Sequence, residues 1–358
     1  MKILLYGENS TEASGAWCYA ASIKELEHDF YSYSNDTFLT QYNTSIVWKI
    51  IRRLNNRLIL EMHRKKHLQG LIQKAVLNKP DIIIILKGLL LGPEDIRLLK
   101  EHSRFVVLIN HDDFFSKSIN SISKLQFNSV PEYDFVFVTK EINIDEISKF
   151  NKKVEFFPFA YYPAIHKKHY ITTEEEKKFN TDILFIGTYE KERVELMEYL
   201  VKHTKYKLTM YGGNWNLLPA SSVLQQCNIH HREIIMDEMA KAIQCAKVTL
   251  GFLRKSNRDT YTQRTFEIPA CGGVLLAERT AFHQQLYVEG IEAEFFDVSQ
   301  PEELVEKIDR LINNTEYRES IREKGNQKVS VSGFTYKNRI KQITNKSIKF
   351  SRQTDLEK

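Results

Sequence analysis

The sequence predicts an α/β fold made of two Rossmann-like halves, each a doubly wound sheet. Short runs of β-branched and other apolar residues alternate with longer helix-patterned segments along most of the chain, which is typical of parallel sheets covered by helices on both faces. A length of 358 residues corresponds to about two domains, at roughly 100–200 residues each. The alternation stops at 158–180, a charged segment without periodicity that contains two prolines, so we place a linker there.

The first half begins with the strand KILLYG (2–7), which ends at a glycine, followed by a helix over 16–27. Apolar residues at helical spacing predict a long helix over 47–77. Asn78-Lys79-Pro80-Asp81 ends that helix. Strands are then predicted at 81–86, 105–113 and 133–139.

The second half repeats the alternation of strands and helices. Its predicted strands are 182–189, 207–213, 248–252 and 272–278, and its predicted helices run to about 203 and over 236–246, 263–271, 301–313 and 315–330. A basic tail follows them.

Composition excludes several classes of protein. Lys plus Arg number 51 and Asp plus Glu 46, for a net charge of +5, which is too mild for a nucleic-acid coat; with 42% apolar residues the chain is not a disordered one. The four cysteines form no C-x-x-C pair, so neither a thiolate zinc site nor a disulfide framework is expected. The sequence shows no signal peptide and no apolar run long enough to span a bilayer. We therefore expect a cytoplasmic protein.

The segment DTYTQRTFEIPACGGVLLAE carries the most specific pattern. Glu267 lies in the first turn of a predicted short helix, where its carboxylate could accept two hydrogen bonds from a vicinal diol such as a ribose. Arg264 offers a guanidinium suited to bidentate phosphate contact, and Asp259 precedes Glu267 by eight residues. The alternative is that Glu267 and Arg264 form a local surface ion pair.

The same segment, R-T-F-E-I-P-A-C-G-G followed by V-L-L, resembles the C-terminal signature of the group-1 glycosyltransferases, in the branch named for the spore maturation protein CgeB. FIGTYEKER (185–193), YGGNW (211–215), 236–252 and 333–340 also resemble blocks of that branch. The resemblance implies a GT-B fold, with two Rossmann-like domains facing a central cleft. It further implies a metal-independent enzyme with a nucleoside-diphosphate-sugar donor and a glycan, lipid-linked or protein acceptor.

On this resemblance the chain divides into four parts. Residues 1–160 form an acceptor-side domain, 161–180 the linker, 181–333 the nucleotide-sugar domain, and 334–358 a basic helix or tail that crosses back to the first domain.

Four further residue groups follow predicted strands, where ligands of open α/β sheets bind. Gly187 and Thr188, with Arg193, are expected at the donor diphosphate, together with Arg264 and its neighbour Thr265. Alternatively, Gly187 and Thr188 form only a tight turn between a strand and a helix, and Arg193 is solvated. Gly212 and Arg232 are expected near the base, although a solvated loop is the alternative.

Asn110-His111-Asp112-Asp113 follows a strand and resembles the His-Asp pair of glycosyltransferase family 4, where the histidine lies near the transferred sugar. His111 could hydrogen-bond a sugar hydroxyl or shuttle a proton, and Asp112 could orient it or act as a base. Alternatively, one of the acids caps a helix and His111 is structural. Gly7 and Glu8 are expected in a loop near the acceptor.

The stereochemistry favoured is retaining, because Asp259 and Glu267 resemble the paired acids of family 4, although that family has Glu at the first position. An inverting enzyme would need a base, for which Asp112, Asp113 or Glu8 could serve. Two other functions remain open: a non-hydrolysing nucleotide-sugar epimerase and a catalytically silent binding or scaffold protein.

Two segments of the chain are rich in basic residues. Residues 46–79 contain nine Lys or Arg and one acid, and residues 324–352 contain eight Lys or Arg and none. Such segments favour peripheral contact with an anionic membrane, and a solvated helix face is the alternative. No nucleic-acid partner is expected.

Overall fold

The computed structural model describes residues 1–7, 14–35, 45–46, 57–116 and 124–356. The chain divides into two compact units. The first unit comprises Met1–Pro158 and Tyr336–Lys358, and the second unit comprises Phe159–Thr335.

A six-stranded parallel sheet forms the centre of the first unit, in the order β2-β1-β3-β4-β5-β6. Its strands are β1 (Lys2–Gly7), β2 (Asp29–Ser34), β3 (Ile82–Leu86), β4 (Phe105–Asn110), β5 (Phe135–Val138) and β6 (Val154–Phe156). The β-branched strands β3 and β4 lie at the centre and are buried throughout, as expected for strands covered on both faces. The helices between the strands are α1 (Gly15–Glu25), α2 (Arg57–Asn78), α3 (Pro93–Lys100), α4 (Lys124–Ser129) and α5 (Ile142–Ile147).

The second unit repeats this arrangement, with the strand order β12-β11-β10-β7-β8-β9. Its strands are β7 (Thr181–Ile186), β8 (Leu208–Tyr211), β9 (Asn228–His230), β10 (Ala246–Gly251), β11 (Leu275–Glu278) and β12 (Glu294–Phe296). Its helices are α6 (Thr173–Phe179), α7 (Lys191–His203), α8 (Met236–Cys245), α9 (Arg264–Ala270), α10 (Ala281–Leu286), α11 (Pro301–Asn313) and α12 (Thr315–Val331). Separate apolar cores cover the two faces of the sheet, one with α7 and α11 and the other with α8 and α9.

The α/β fold class with two doubly wound sheets is confirmed. The structure adds four strands that the sequence patterns do not predict, β2, β6, β9 and β12, and each lies at the edge of a sheet. The segment 161–180, expected as a linker, lies in the second unit and contains α6. A capping box between Thr172 and Glu175 begins α6, and T-x-x-E is a sequence signal that would have revealed it.

The last helix, α13 (Tyr336–Leu356), belongs to the first unit. The ring of Tyr336 packs edge-on against Tyr19 of α1, with ring centroids 4.8 Å apart. Farther along, Phe350 packs edge-on against Phe105 and Phe135 of the central sheet. The helix is therefore part of the core of the first unit.

We expect Ile340→Ala to lower the free energy of unfolding by about 2–4 kcal/mol, because it removes a buried branched side chain and leaves a cavity. Ile340 has no exposed surface, whereas Ile348 on the same helix is 39% exposed. Urea unfolding would measure the loss, with Ile348→Ala as the matched control at about 1 kcal/mol or less. Equal losses in the two variants would contradict the placement of α13 in the core.

Candidate functional site

Two backbone turns of the second unit approach each other closely where β7 and β8 end. The N–H of Gly187 donates to the carbonyl of Tyr211 at 2.9 Å, and the indole N–H of Trp215 donates to the carbonyl of Gly187 at 3.0 Å. Gly212 has a φ of +151°, and a Cβ there would lie 2.0 Å from the carbonyl oxygen of Gly187. Because no side chain fits at this position, glycine is required for the two turns to meet.

A cavity of about 240 Å³ opens at these turns. It brings together four of the residues predicted for donor binding, Gly187, Thr188, Gly212 and Arg264. The rest of its lining comprises Ile186, Tyr211, Gly213, Glu233, Ile234 and Ile235. The cavity is therefore lined by two glycine turns, one guanidinium, one carboxylate and several apolar side chains.

Glu267 lies on α9 beside Arg264, and its side chain is 2% exposed. One carboxylate oxygen, Oε1, accepts from Nε2 of Gln263 at 2.6 Å and lies 3.3 Å from Nε2 of His166; the other, Oε2, pairs with Arg264. Burial opposes the negative charge, but Arg264 and His166 outweigh it and lower the pKa of Glu267 below its ordinary value. Glu267 is therefore a buried, ionised carboxylate.

The hydrogen bonds of His166 fix its tautomer. The backbone N–H of Tyr162 donates to Nδ1 of His166 at 2.9 Å, so the ring proton is on Nε2, which faces Glu267. Burial lowers the pKa of His166. The ring is thus neutral at pH 7, with its protonated Nε2 3.3 Å from Oε1 of Glu267.

Arg193 is buried behind the Gly187–Thr188 turn. Its guanidinium donates to the carbonyl of Leu253 from Nε and from a terminal nitrogen, at 3.4 and 3.3 Å, and to the carbonyl of Thr188 at 3.2 Å. It lines a different cavity of about 230 Å³, together with Lys255 and Glu278. In this structure Arg193 braces the turn through its backbone, and a direct contact with a diphosphate stays a prediction.

Three other residues predicted for the second unit do not line the cavity at Gly187. Asp259 accepts from the N–H of Arg254 at 3.2 Å and from the Asn257 side chain at 3.0 Å. Thr265 is buried with its hydroxyl 2.9 Å from His283, and Arg232 makes a two-point ion pair with Glu238 at 2.8 Å. Their roles toward a donor stay predictions.

In the first unit, His111 follows β4 and stacks on Tyr19, with its Nε2 3.3 Å from the Tyr19 hydroxyl. Burial, with Lys87 as the second cause, lowers the pKa of His111 to about 4. His111 is therefore neutral at pH 7, and it offers a hydrogen bond rather than a positive charge.

The two acids after His111 have different surroundings. Asp112 is partly exposed and pairs with Nζ of Lys87 at 2.9 Å; burial opposes its charge, but Lys87 outweighs it and lowers the pKa of Asp112. Asp113 is fully buried and accepts from the N–H of Phe115 and from the side chain of Asn143. Asp113 thus stabilises the loop after β4.

Gly7 ends β1, where a Cβ would lie 2.9 Å from that of Leu86, and Glu8 lies outside the described residues. Within the described ranges, no group of three or more His, Cys, Asp or Glu side chains is arranged to hold a metal ion. In the same part of the chain, no helix combines the length and apolar character needed to cross a bilayer.

Sequence reasoning missed the partners of the predicted residues: His166 and Gln263 on Glu267, Lys87 on Asp112, and Tyr19 on His111. Gln263 precedes Glu267 by one helical turn, so helical spacing could have revealed it. The other three pairs join distant parts of the chain, and no local pattern in the sequence marks them.

Comparison with known proteins adds a family match to this geometry. Residues 192–345 match the model of a family described as glycosyl transferase-like. No curated protein matches the chain.

Solved structures are similar over nearly the whole chain. The Anabaena protein HepE in complex with UDP has a TM-score of 0.60 at 10% identity, covering 97% of this chain and 99% of that one. Sucrose-phosphate synthase from Thermosynechococcus elongatus has a TM-score of 0.69 at 10% identity over 100% of both chains. A trehalose-phosphate synthase from Burkholderia xenovorans has a TM-score of 0.67 at 11% identity, over 97% of this chain and 100% of that one.

These similarities, with the two parallel six-stranded sheets, confirm the predicted GT-B fold. The narrower resemblance to the CgeB branch and to family 4 stays a prediction.

We expect Arg193→Met to lower the free energy of unfolding by about 2 kcal/mol or more, because it leaves the carbonyls of Thr188 and Leu253 without their charged donor. Chemical denaturation would measure the loss. Lys191→Met, at an exposed position two residues earlier in α7, is the matched control and should change stability by about 0.5 kcal/mol or less. An Arg193→Met variant as stable as this control would show that the hydrogen bonds of Arg193 to these carbonyls contribute nothing to stability.

Proposed function

We propose that this protein is a GT-B glycosyltransferase that moves a sugar from a nucleoside-diphosphate-sugar donor to a glycan, lipid-linked or protein acceptor. One observation carries the proposal: the cavity of the second unit joins the turns at Gly187 and Gly212 to Arg264, which pairs with the buried carboxylate of Glu267. Fold alone does not give a function, and this combination of backbone, cation and carboxylate fits the three parts of a nucleoside diphosphate. The family match over 192–345 supports the same class of reaction.

The donor's diphosphate is assigned to Gly187, Thr188 and Arg264, because glycine turns let phosphate oxygens approach the backbone and a guanidinium binds them bidentately. Glu267 accepts hydrogen bonds from the ribose hydroxyls, and the base lies near Gly212 and Arg232. At about 240 Å³ the cavity is smaller than the roughly 300–1,000 Å³ of drug-sized ligand sites. The cavity therefore has room for only part of a nucleoside-diphosphate-sugar.

The reaction breaks the bond between the anomeric carbon and the diphosphate oxygen and forms a bond from that carbon to an acceptor hydroxyl oxygen. In the retaining course that we favour, the departing diphosphate takes the acceptor proton. Arg264 and the backbone at Gly187 and Thr188 stabilise the diphosphate charge as it develops, without a metal ion. Asp259 is assigned to the donor sugar and Thr265 to the support of α9. His111 and Asp112 are kept as residues of the sugar or acceptor side, with Gly7 and Glu8 near the acceptor.

The first test is thermal stabilisation of the purified protein by UDP, GDP, dTDP, ADP and CMP, each with and without EDTA. A ligand at about 100 times its Kd adds about 2.7 kcal/mol of stability. UDP is the first choice because HepE, with a similar fold, was solved with UDP and with UDP-glucose. We expect one nucleotide to raise the Tm, EDTA to have no effect, and Glu267→Gln to abolish the shift.

Glu306→Gln, an exposed position on α11, is the matched control and should keep the full shift. Stabilisation by no nucleotide would overturn the donor site and favour a scaffold protein. Incubation with the matching sugar donor then separates the reactions, because an epimerase converts the donor without any acceptor. Loss of binding in EDTA would overturn metal independence.

We also propose that the protein contacts the inner face of an anionic membrane through α2. Lys65, Lys66 and Lys74 are exposed on this helix, and the apolar side chains of Met62 and Leu77 are exposed among them. Basic residues near an anionic surface contribute roughly 1 kcal/mol each, and exposed apolar side chains add burial in the interface.

Co-sedimentation with phosphatidylserine-containing vesicles tests this contact. The double change Lys65→Gln and Lys66→Gln should weaken binding by about 30-fold, the equivalent of about 2 kcal/mol. The control double change, Lys202→Gln and Lys205→Gln, removes two exposed lysines of the second unit and should leave binding unchanged. Equal binding to vesicles without anionic lipid would contradict the proposal.

A further inference from the structure

The side chain of Arg264 takes part in two features of the second unit. Its guanidinium forms the ion pair with Oε2 of Glu267, and it also lines the cavity at Gly187. The side chain of Glu267 is 2% exposed and that of Arg264 is 29% exposed. Of this pair, Arg264 is therefore the member that an incoming ligand meets.

Both oxygens of the Glu267 carboxylate have close partners in this structure. His166 and Gln263 lie on Oε1, and Arg264 lies on Oε2. A vicinal diol needs acceptor positions on a carboxylate, and His166 is too deeply buried to move aside. Arg264 is the partner that can leave, because it alone lies on Oε2 among these three and its side chain is 29% exposed.

Arg264 is also incompletely bonded where it lies. Its Nε is buried and has no hydrogen-bond partner within the described parts of the chain. A buried donor without a partner costs free energy, so the position beside Glu267 is not one that satisfies the whole guanidinium. Phosphate oxygens would supply acceptors for all of its nitrogens.

We propose that Arg264 determines specificity for diphosphates by exchange: it covers Oε2 of Glu267 in the free protein and leaves it for the donor's phosphates, which opens the carboxylate to the ribose. This inference rests on the proposed function, since it assigns the ribose to Glu267. A nucleoside without phosphates gives Arg264 no new partner and must compete with it for Glu267. A nucleoside diphosphate supplies that partner through its phosphates, and its ribose can then bind the carboxylate of Glu267.

The exchange predicts opposite effects of one substitution on two ligands. In Arg264→Gln, binding of UDP should weaken by about tenfold or more, because charge-assisted phosphate contacts are lost. Binding of uridine should strengthen by about threefold, the size of a partly exposed ion pair that no longer competes. Calorimetric titration at pH 8, where the carboxylate stays ionised, measures both affinities. Lys202→Gln, which removes an exposed cation of the same unit, should change neither.

Each other result overturns the exchange. Uridine binding that is unchanged would show that Arg264 binds phosphate independently of Glu267, and uridine binding that weakens would show that Arg264 only maintains the carboxylate. Failure of the wild-type protein to bind any nucleoside diphosphate would instead overturn the proposed function, so the two failures are distinguishable.

A measurement on the wild-type protein covers the case in which Arg264→Gln does not fold. Inorganic pyrophosphate at 10 mM should draw Arg264 from Glu267 and raise the affinity for uridine by about threefold, since coupling between two ligands is reciprocal. No change, or weaker uridine binding, in pyrophosphate would overturn the exchange.

Discussion

The meeting of two backbone turns at Gly187 and Gly212 is the constraint on which the rest of the second unit's site depends. The carbonyl of Gly187 accepts from Trp215, and the N–H of Gly187 donates across to β8. Any side chain at position 212 would occupy the space of that carbonyl. Arg193 donates to the carbonyl of Thr188 in the same turn. The two turns that line the cavity are therefore held by backbone packing and by the side chains of Trp215 and Arg193, which donate to the carbonyls of Gly187 and Thr188.

A second constraint on the site is the free-energy cost of burying the charge of Glu267. An ionised carboxylate removed from water is tolerated only when it is paired and hydrogen-bonded, and here three side chains lie against its two oxygens. Arg264 is the first residue of α9, Gln263 immediately precedes that helix, and His166 comes from the segment before α6. The conformation of the segment that contains His166 is thus linked to the ionisation of Glu267, which is distant in the sequence.

The central strands and long helices of both units could be predicted from the sequence because β-branched runs and helical spacing are local signals. The edge strands β2 and β12 could not, since DFYSYS and EFF are short or polar, and pairing with one neighbour, rather than composition, makes them strands. At the site, Gly187, Gly212 and Arg264 could be singled out from the sequence because each lies near the end of a predicted strand or helix. The burial of Arg193 and the contact of His166 with Glu267 depend on how distant segments pack, which one sequence does not reveal.

The second unit has one more property that follows from its ends. Tyr161, near its beginning, forms an isolated parallel bridge with Thr335 at its end, and the N–H of Tyr161 donates to the carbonyl of Phe334 at 2.9 Å. The unit is one uninterrupted stretch of chain, inserted before the last helix of the first. Neighbouring termini are the property that lets a domain be inserted into another or circularly permuted. Evolution or an engineer can therefore exchange the second unit as a whole, with only two adjacent junctions in the chain to preserve.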